Sequence, residues 1–239
     1  MNALVKAAQG GALANKDKWA AIAGQYGSAN HGGVQFLKFN GNDGGFTFGK
    51  DNNELPLGTR LAVNMLDYKV GFICWKEGEV VDEVMAAIIS EDAPAKASLT
   101  DHGPYKTYSD GTTDGWSEQR SVTMRGLDDG ETYEFKTTSK GALIAMGNLL
   151  RDYAKGAAMN DGMIAIVELA ESSFVLKKVK GQPTKYAPIF KIVEWAEEAD
   201  LLAKLDGAAA AAKAATEEAE AQEEATPPPA TEVKRGRRF

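Results

Sequence analysis

The chain has one cysteine, Cys74, and two histidines, His31 and His102, in 239 residues. A single cysteine forms no intrachain disulfide and cannot assemble a cysteine-rich zinc site, so a reducing compartment is the natural setting. Cys74 stands between Ile73 and Trp75 in a strand-like run and reads as a small buried hydrophobe. The histidines lie 71 positions apart in glycine-containing turns, where solvated loop residues are the simpler reading. No apolar run approaches the roughly 18–20 residues needed to cross a bilayer. Gln9-Gly10-Gly11 interrupts the segment after Lys6, which excludes a secretory signal.

Catalytic signatures are equally scarce. There is no serine elbow, no cysteine and histidine nucleophile pattern, and no dinucleotide loop. Gly44, four residues, then Gly49-Lys50 imitate a phosphate loop, but Asp51 replaces the magnesium-holding hydroxyl and Phe46-Thr47-Phe48 has strand character where a backbone cradle should be. No metal or cofactor is expected, and the protein reads as a non-enzyme.

What is present is an ordinary globular composition, 44% hydrophobic and 26% charged, enough for one core. The net charge of −7 is unevenly spread. Residues 197–233 hold ten acids against two lysines, −8, and the last six residues hold four bases, +4. This leaves −3 for residues 1–196, with 21 basic and 24 acidic groups. A near-neutral body, an acidic tail and a basic tip suggest three parts. We read 1–30 as a flexible, partly helical arm, 31–196 as a β-barrel domain, and 197–239 as a helix start followed by a disordered acidic tail with Pro227-Pro228-Pro229 and a basic tip.

Along the body, Val34 to Phe39 alternates as a strand, Asn40 to Gly45 is a turn, and Phe46 to Phe48 returns, a β-hairpin. Gly58 to Met65 and Tyr68 to Lys76 read as two strands joined at Leu66-Asp67; Val80 to Ile89 suits a strand or a short helix. Ser90 to Gln119 is loop-like, of a length that is either functional or mobile. Ser121 to Leu127 and Glu131 to Thr137 resume the strand pattern. A helix follows from the cap at Ser139 to about Ala154, with Leu143, Met146, Leu150 and Tyr153 at helical spacing and Gly156 as its stop. Gly141 and Gly147 weaken it, which close approach to the barrel explains. Met163 to Leu169 and Pro188 to Trp195 close the domain. Strand, helix, then a pair of strands is the second half of an OB-fold barrel, so the fold class is mainly β with one internal helix, an OB-fold-like barrel.

Aromatic and basic residues interleave on these strands. The candidate nucleic-acid-binding residues are Arg60, Tyr68, Lys69, Trp75, Lys76, Arg125, Tyr133 and Lys136, with the loop of Lys177, Lys178, Lys180, Lys185 and Tyr186. Bases stack on aromatic rings for about 1–3 kcal/mol each, and lysine and arginine follow the phosphates. The same pattern also suits core aromatics and a solvated lysine hairpin.

Val34 to Gly49, Leu57 to Asn64, Trp75-Lys76-Glu77-Gly78, Tyr133 to Ala142 and Pro188 to Trp195 resemble a mostly uncharacterised bacteriophage protein family, whose order of elements is similar to OB-fold phage single-stranded DNA-binding proteins. The likeness covers roughly residues 34–195. It implies single-stranded DNA binding and protection in replication or recombination, in the cytoplasm of a bacterium or phage-infected host cell, with no membrane association. Such proteins often end in an acidic segment closed by an aromatic residue that recruits replication or recombination proteins. Glu217 to Glu224 and Phe239 resemble this, with Phe239 the implied partner contact, although Lys234 to Arg238 place +4 where that pattern is acidic. A homo-oligomer stays open. The alternative is a phage structural or assembly protein making protein contacts.

Overall fold

Strand β4, Arg60–Lys76, is 17 residues long and carries the sheet. The computed structural model describes residues 33–109, 111–175 and 184–203. Around β4 stand β1 (Gln35–Phe39), β2 (Phe46–Phe48), β3 (Asn53–Leu55), β5 (Glu79–Ala87), β6 (Gly115–Gly126), β7 (Thr132–Thr137), β8 (Ile164–Phe174) and β9 (Lys185–Ala196), with helix α1 at Lys140–Ala157. The fold is mainly β. The strand order is β3-β2-β1-β7-β6-β4-β8-β9, and β5 pairs separately with β4.

The expected two strands at 58–76 are one. A register shift between Asn64 and Lys69 marks where the break was expected. The Asn64 side chain accepts from the Leu66 amide at 3.2 Å, and Asp67 ion-pairs with Lys69 at 2.7 Å and accepts from the Thr123 hydroxyl, so polar side chains hold the irregular segment within the strand. One edge of β4 pairs with β6 on both sides of that shift. On the other edge the first part, Arg60–Ala62, pairs with β8, and the second, Lys69–Lys76, pairs with β5. Exchanging partners at an irregularity bends the sheet, which curls into a half-barrel.

Glycine is required at one point of this crossing. A Cβ on Gly71 would lie 1.9 Å from the Val84 carbonyl oxygen of β5, a backbone atom that cannot swing away. Gly71→Ala is expected to cost about 1–3 kcal/mol, as overpacking does, with β5 separating from β4. Urea denaturation reads the loss, and an unchanged midpoint would show that β5 yields freely.

The concave face holds the core: Leu37, Phe46, Leu61, Val63, Tyr68, Val122, Met124, Tyr133, Phe135, Val167, Leu169 and Phe190 pack with Ala142, Ala145, Met146 and Leu149 of α1. Of the stripe expected from spacing, Met146 is fully buried and Leu150 and Tyr153 are partly buried against the core, while Ala142, Ala145 and Leu149 complete the buried face; the helix runs to Ala157, past Gly156. Its glycines do permit close approach. A Cβ on Gly147 would fall 2.7 Å from the Arg120 guanidinium, and one on Gly156 would fall 2.4 Å from the Trp195 ring. Arg120 donates to the Leu143 carbonyl at 2.9 Å and the Tyr68 hydroxyl donates to the Met146 carbonyl at 2.9 Å, tying β6 and β4 to the helix.

β7 and β9 do not pair with each other. β1 runs parallel to β7, the one parallel pair, and its turn to β2 reaches the β8–β9 hairpin. There the Tyr186 amide donates to the Gly41 carbonyl at 3.0 Å and the Gly45 amide donates to the Glu171 carboxylate at 2.7 Å. Beneath these contacts Phe46, Phe135 and Phe190 form one ring cluster.

The long connection from β5 to β6 is shorter than its loop composition indicated, since β6 begins at Gly115, and it folds back on the sheet. His102, expected to be a solvated loop residue, binds Asp82 of β5 through Nε2 at 2.8 Å and packs on the Trp116 ring. Residues 198–203 are helical, and Leu201, only 1% exposed, seals Ala62 and Ile164 on the convex side. The arm at 1–30, the tail beyond 203 with Phe239, and Lys177, Lys178 and Lys180 lie outside the described residues.

Candidate nucleic-acid interface

Residues paired directly across antiparallel strands share a face. On the convex side this sets Lys69 beside Ser121 and Ser121 beside Lys136, and Gly71 between Gln119 and Met85, with Ile73 and Trp75 further along β4. The face is polar and carries two cations. Both are matched: Lys136 ion-pairs with Glu83, which also accepts from Gln119, and the Asp67 carboxylate beside Lys69 holds its ammonium above the usual lysine range. Trp75, 37% exposed, stands beside exposed Val80 at the end of this face. It is the aromatic ring that could receive a base there.

Three of the expected contact residues are interior. Tyr68 and Tyr133 are fully buried on the concave side, where the core fills both ring faces, and neither can present a ring to a base. Burial pushes the Tyr68 phenol up to about 12, partly offset by the Arg120 guanidinium. Burial and the Asp129 carboxylate, which accepts from the Tyr133 hydroxyl at 2.6 Å, push Tyr133 up as well. Arg125, opposite Ala62, is buried and does not reach the surface as a phosphate contact. Arg60 is exposed and lies 3.5 Å from the Glu194 carboxylate. Lys76 turns to the concave side and donates to the His102 carbonyl at 2.8 Å, pinning the long loop. Sequence periodicity shows alternation of faces; it does not say which face an added helix will cover.

Lys185 and Tyr186 sit elsewhere, on the wall of a groove of about 720 Å³ between the β1–β2 turn, the start of α1 and the β8–β9 hairpin. Phe39, Phe174, Lys140 and Ile144 complete its main surfaces. Among the described residues the lining has two lysines, three aromatic rings and no carboxylate, although the chain as a whole is −7. α1 begins here with no acid in its first turn and with no side-chain cap from Ser139. A second groove of about 540 Å³, between α1 and β9, differs in that Asp152 lines it. Phe39, Lys140, Ile144 and Phe174 were not singled out from sequence because three segments far apart in the chain bring them together; the exposed apolar Phe174 at a strand end was the one available signal.

Among the described residues no three histidine, cysteine or acidic side chains cluster to hold a metal ion, and no helix is long and apolar enough to cross a membrane. Protein-family models, curated proteins and solved structures give no match to this chain.

Proposed function

We propose that the protein binds single-stranded DNA through an OB-like barrel and protects it, as a phage protein of replication or recombination. The observation that carries this reading is the strand path. β4, β6, β7, β8 and β9 taken in chain order pair as third, second, first, fourth, fifth, with α1 between third and fourth. That is the OB order and the OB position of the helix. One feature departs from it: the third and fifth strands do not pair, and β1 stands parallel beside β7 in the fifth strand's place. In OB-folds the face of the second and third strands and the loops after the first and fourth strands bind oligonucleotides. Here these correspond to the convex face of β6 and β7, to the connection after β4, and to the lysine-bearing connection between β8 and β9. The role requires no catalytic group.

Fluorescence anisotropy with a labelled dT20 oligonucleotide is expected to show binding that weakens steeply as salt rises, because each neutralised phosphate releases counterions. Trp75→Ala with Lys69→Ala should weaken it by about 1–3 kcal/mol, nearly all from the ring, since Asp67 already matches Lys69. Absence of binding at low salt would remove this function and leave the structural or assembly reading, which detection of the protein in purified virions would support.

A further inference from the structure

The groove at the start of α1 lies off the convex face and borders the β8–β9 hairpin, but its other walls come from α1 and the β1–β2 turn, which OB-folds do not ordinarily use. Its two cations come from different elements, Lys140 from α1 and Lys185 from β9. Lys185 is steadied by the Asn42 side chain, and two carboxylates at this turn are engaged otherwise: Glu171 accepts from the Gly45 amide at 2.7 Å and Asp43 from the Asn40 side chain at 3.0 Å. Phe174 is 43% exposed and Ile144 57% exposed, both unusually open for large apolar side chains. Phe174 is paired with Lys185 across the hairpin, and Tyr186 with Ser173, so a ring and an ammonium sit side by side at the mouth.

A ligand that satisfies this surface must be planar and apolar in one part and anionic in another. An acidic peptide would leave the rings uncovered; a fatty acyl chain would not use two separated cations. A nucleotide uses both: the base covers an aromatic ring and the phosphate meets Lys140 and Lys185. The volume, about 720 Å³, lies within the range of about 300–1,000 Å³ typical of small-molecule pockets and has room for more than one base. We infer that this groove is a base-receiving subsite for single-stranded DNA, in which one or two unstacked bases lie against Phe174 while their phosphates are held by Lys140 and Lys185. The inference rests on the proposed function and specifies a location for it. Because the bases must leave a stack to enter, the site selects single strands over duplex.

The full chain is used for the test, with the dT20 probe. Phe174→Ala removes an exposed ring at a strand end and is expected to weaken binding about 10-fold at unchanged melting temperature. Lys140→Gln is expected to lower the dependence of log affinity on log salt by about one unit. Photocrosslinking of the unmodified protein to an oligonucleotide carrying 5-iododeoxyuridine, read by mass spectrometry, is expected to place adducts on Phe174. This arm does not depend on any variant folding. If the protein binds dT20 but both variants bind as the parent does and the adducts fall on Trp75, the groove is not the subsite and the DNA-binding function stands. If the parent does not bind dT20 at low salt, the function and the subsite fall together.

Discussion

Phe135→Ala is expected to lower the free energy of unfolding by about 3–5 kcal/mol, the usual result of truncating a buried phenylalanine. Few single changes in this chain should cost more. Phe135 is almost fully buried, its ring lies 4.9 Å from Phe190 and 6.4 Å from Phe46, and its backbone is paired with Leu37 on one side and Val122 on the other. The ring cluster is what joins β7, the β1–β2 hairpin and β9 where no ladder of backbone hydrogen bonds runs between β7 and β9. Removing the central ring opens a cavity and deprives the seam of most of its apolar contact. A loss of this size is a large share of the roughly 5–15 kcal/mol that holds an ordinary domain together. Urea unfolding followed by circular dichroism measures it, and a variant within about 1 kcal/mol of the parent would mean that the seam is held by the polar contacts of Gly41 and Gly45 instead.

The second large effect is on pH. Tyr68 and Tyr133 are both held neutral by burial, Tyr68 with its phenol at about 12 and Tyr133 also raised, with the Asp129 carboxylate adding to the effect of burial. In the unfolded chain both ionise near pH 10. Their contribution to stability is therefore whole below pH 10 and is lost as pH rises toward and through the folded values, because the unfolded state then releases protons that the folded state retains. Tyr68 alone should lower stability by about 2 kcal/mol at pH 11.5, from a shift of about two units at 1.36 kcal/mol each, and Tyr133 acts in the same direction. Urea midpoints at pH 8 and 11.5 test this. Tyr68→Phe should flatten part of the profile; equal midpoints in the parent at both pH values would show that the phenols are not held neutral.

The contrast between these tyrosines and Trp75 shows what was legible. All three lie on strands with alternating pattern; Tyr68 and Trp75 each precede a lysine, and Tyr133 stands three positions before Lys136. Alternation correctly placed Tyr68 opposite in facing to Lys69 and Trp75. It could not show that α1 would come down on the Tyr68 side, nor that Asp67 and Glu83 would meet the lysines on the other. The groove is a stronger case. Phe39, Lys140, Phe174 and Lys185 are separated by up to 146 positions and carry no shared motif.

Local chemistry in the sequence was enough for the mainly β class, the turn at Asn40 to Gly45 and the helix after Ser139, because turn formers, alternation and helical spacing act over a few residues. It also determined that Gly147 must allow something close, though not that the neighbour is Arg120. Only the tertiary structure decided that 60–76 is one strand, that phenylalanine rings join β7 to β9 where no strand pairing runs, and that Lys185 and Tyr186 line a groove with Lys140. These depend on which distant segments compete for the same edge and the same face, a comparison of whole arrangements that no window of sequence contains.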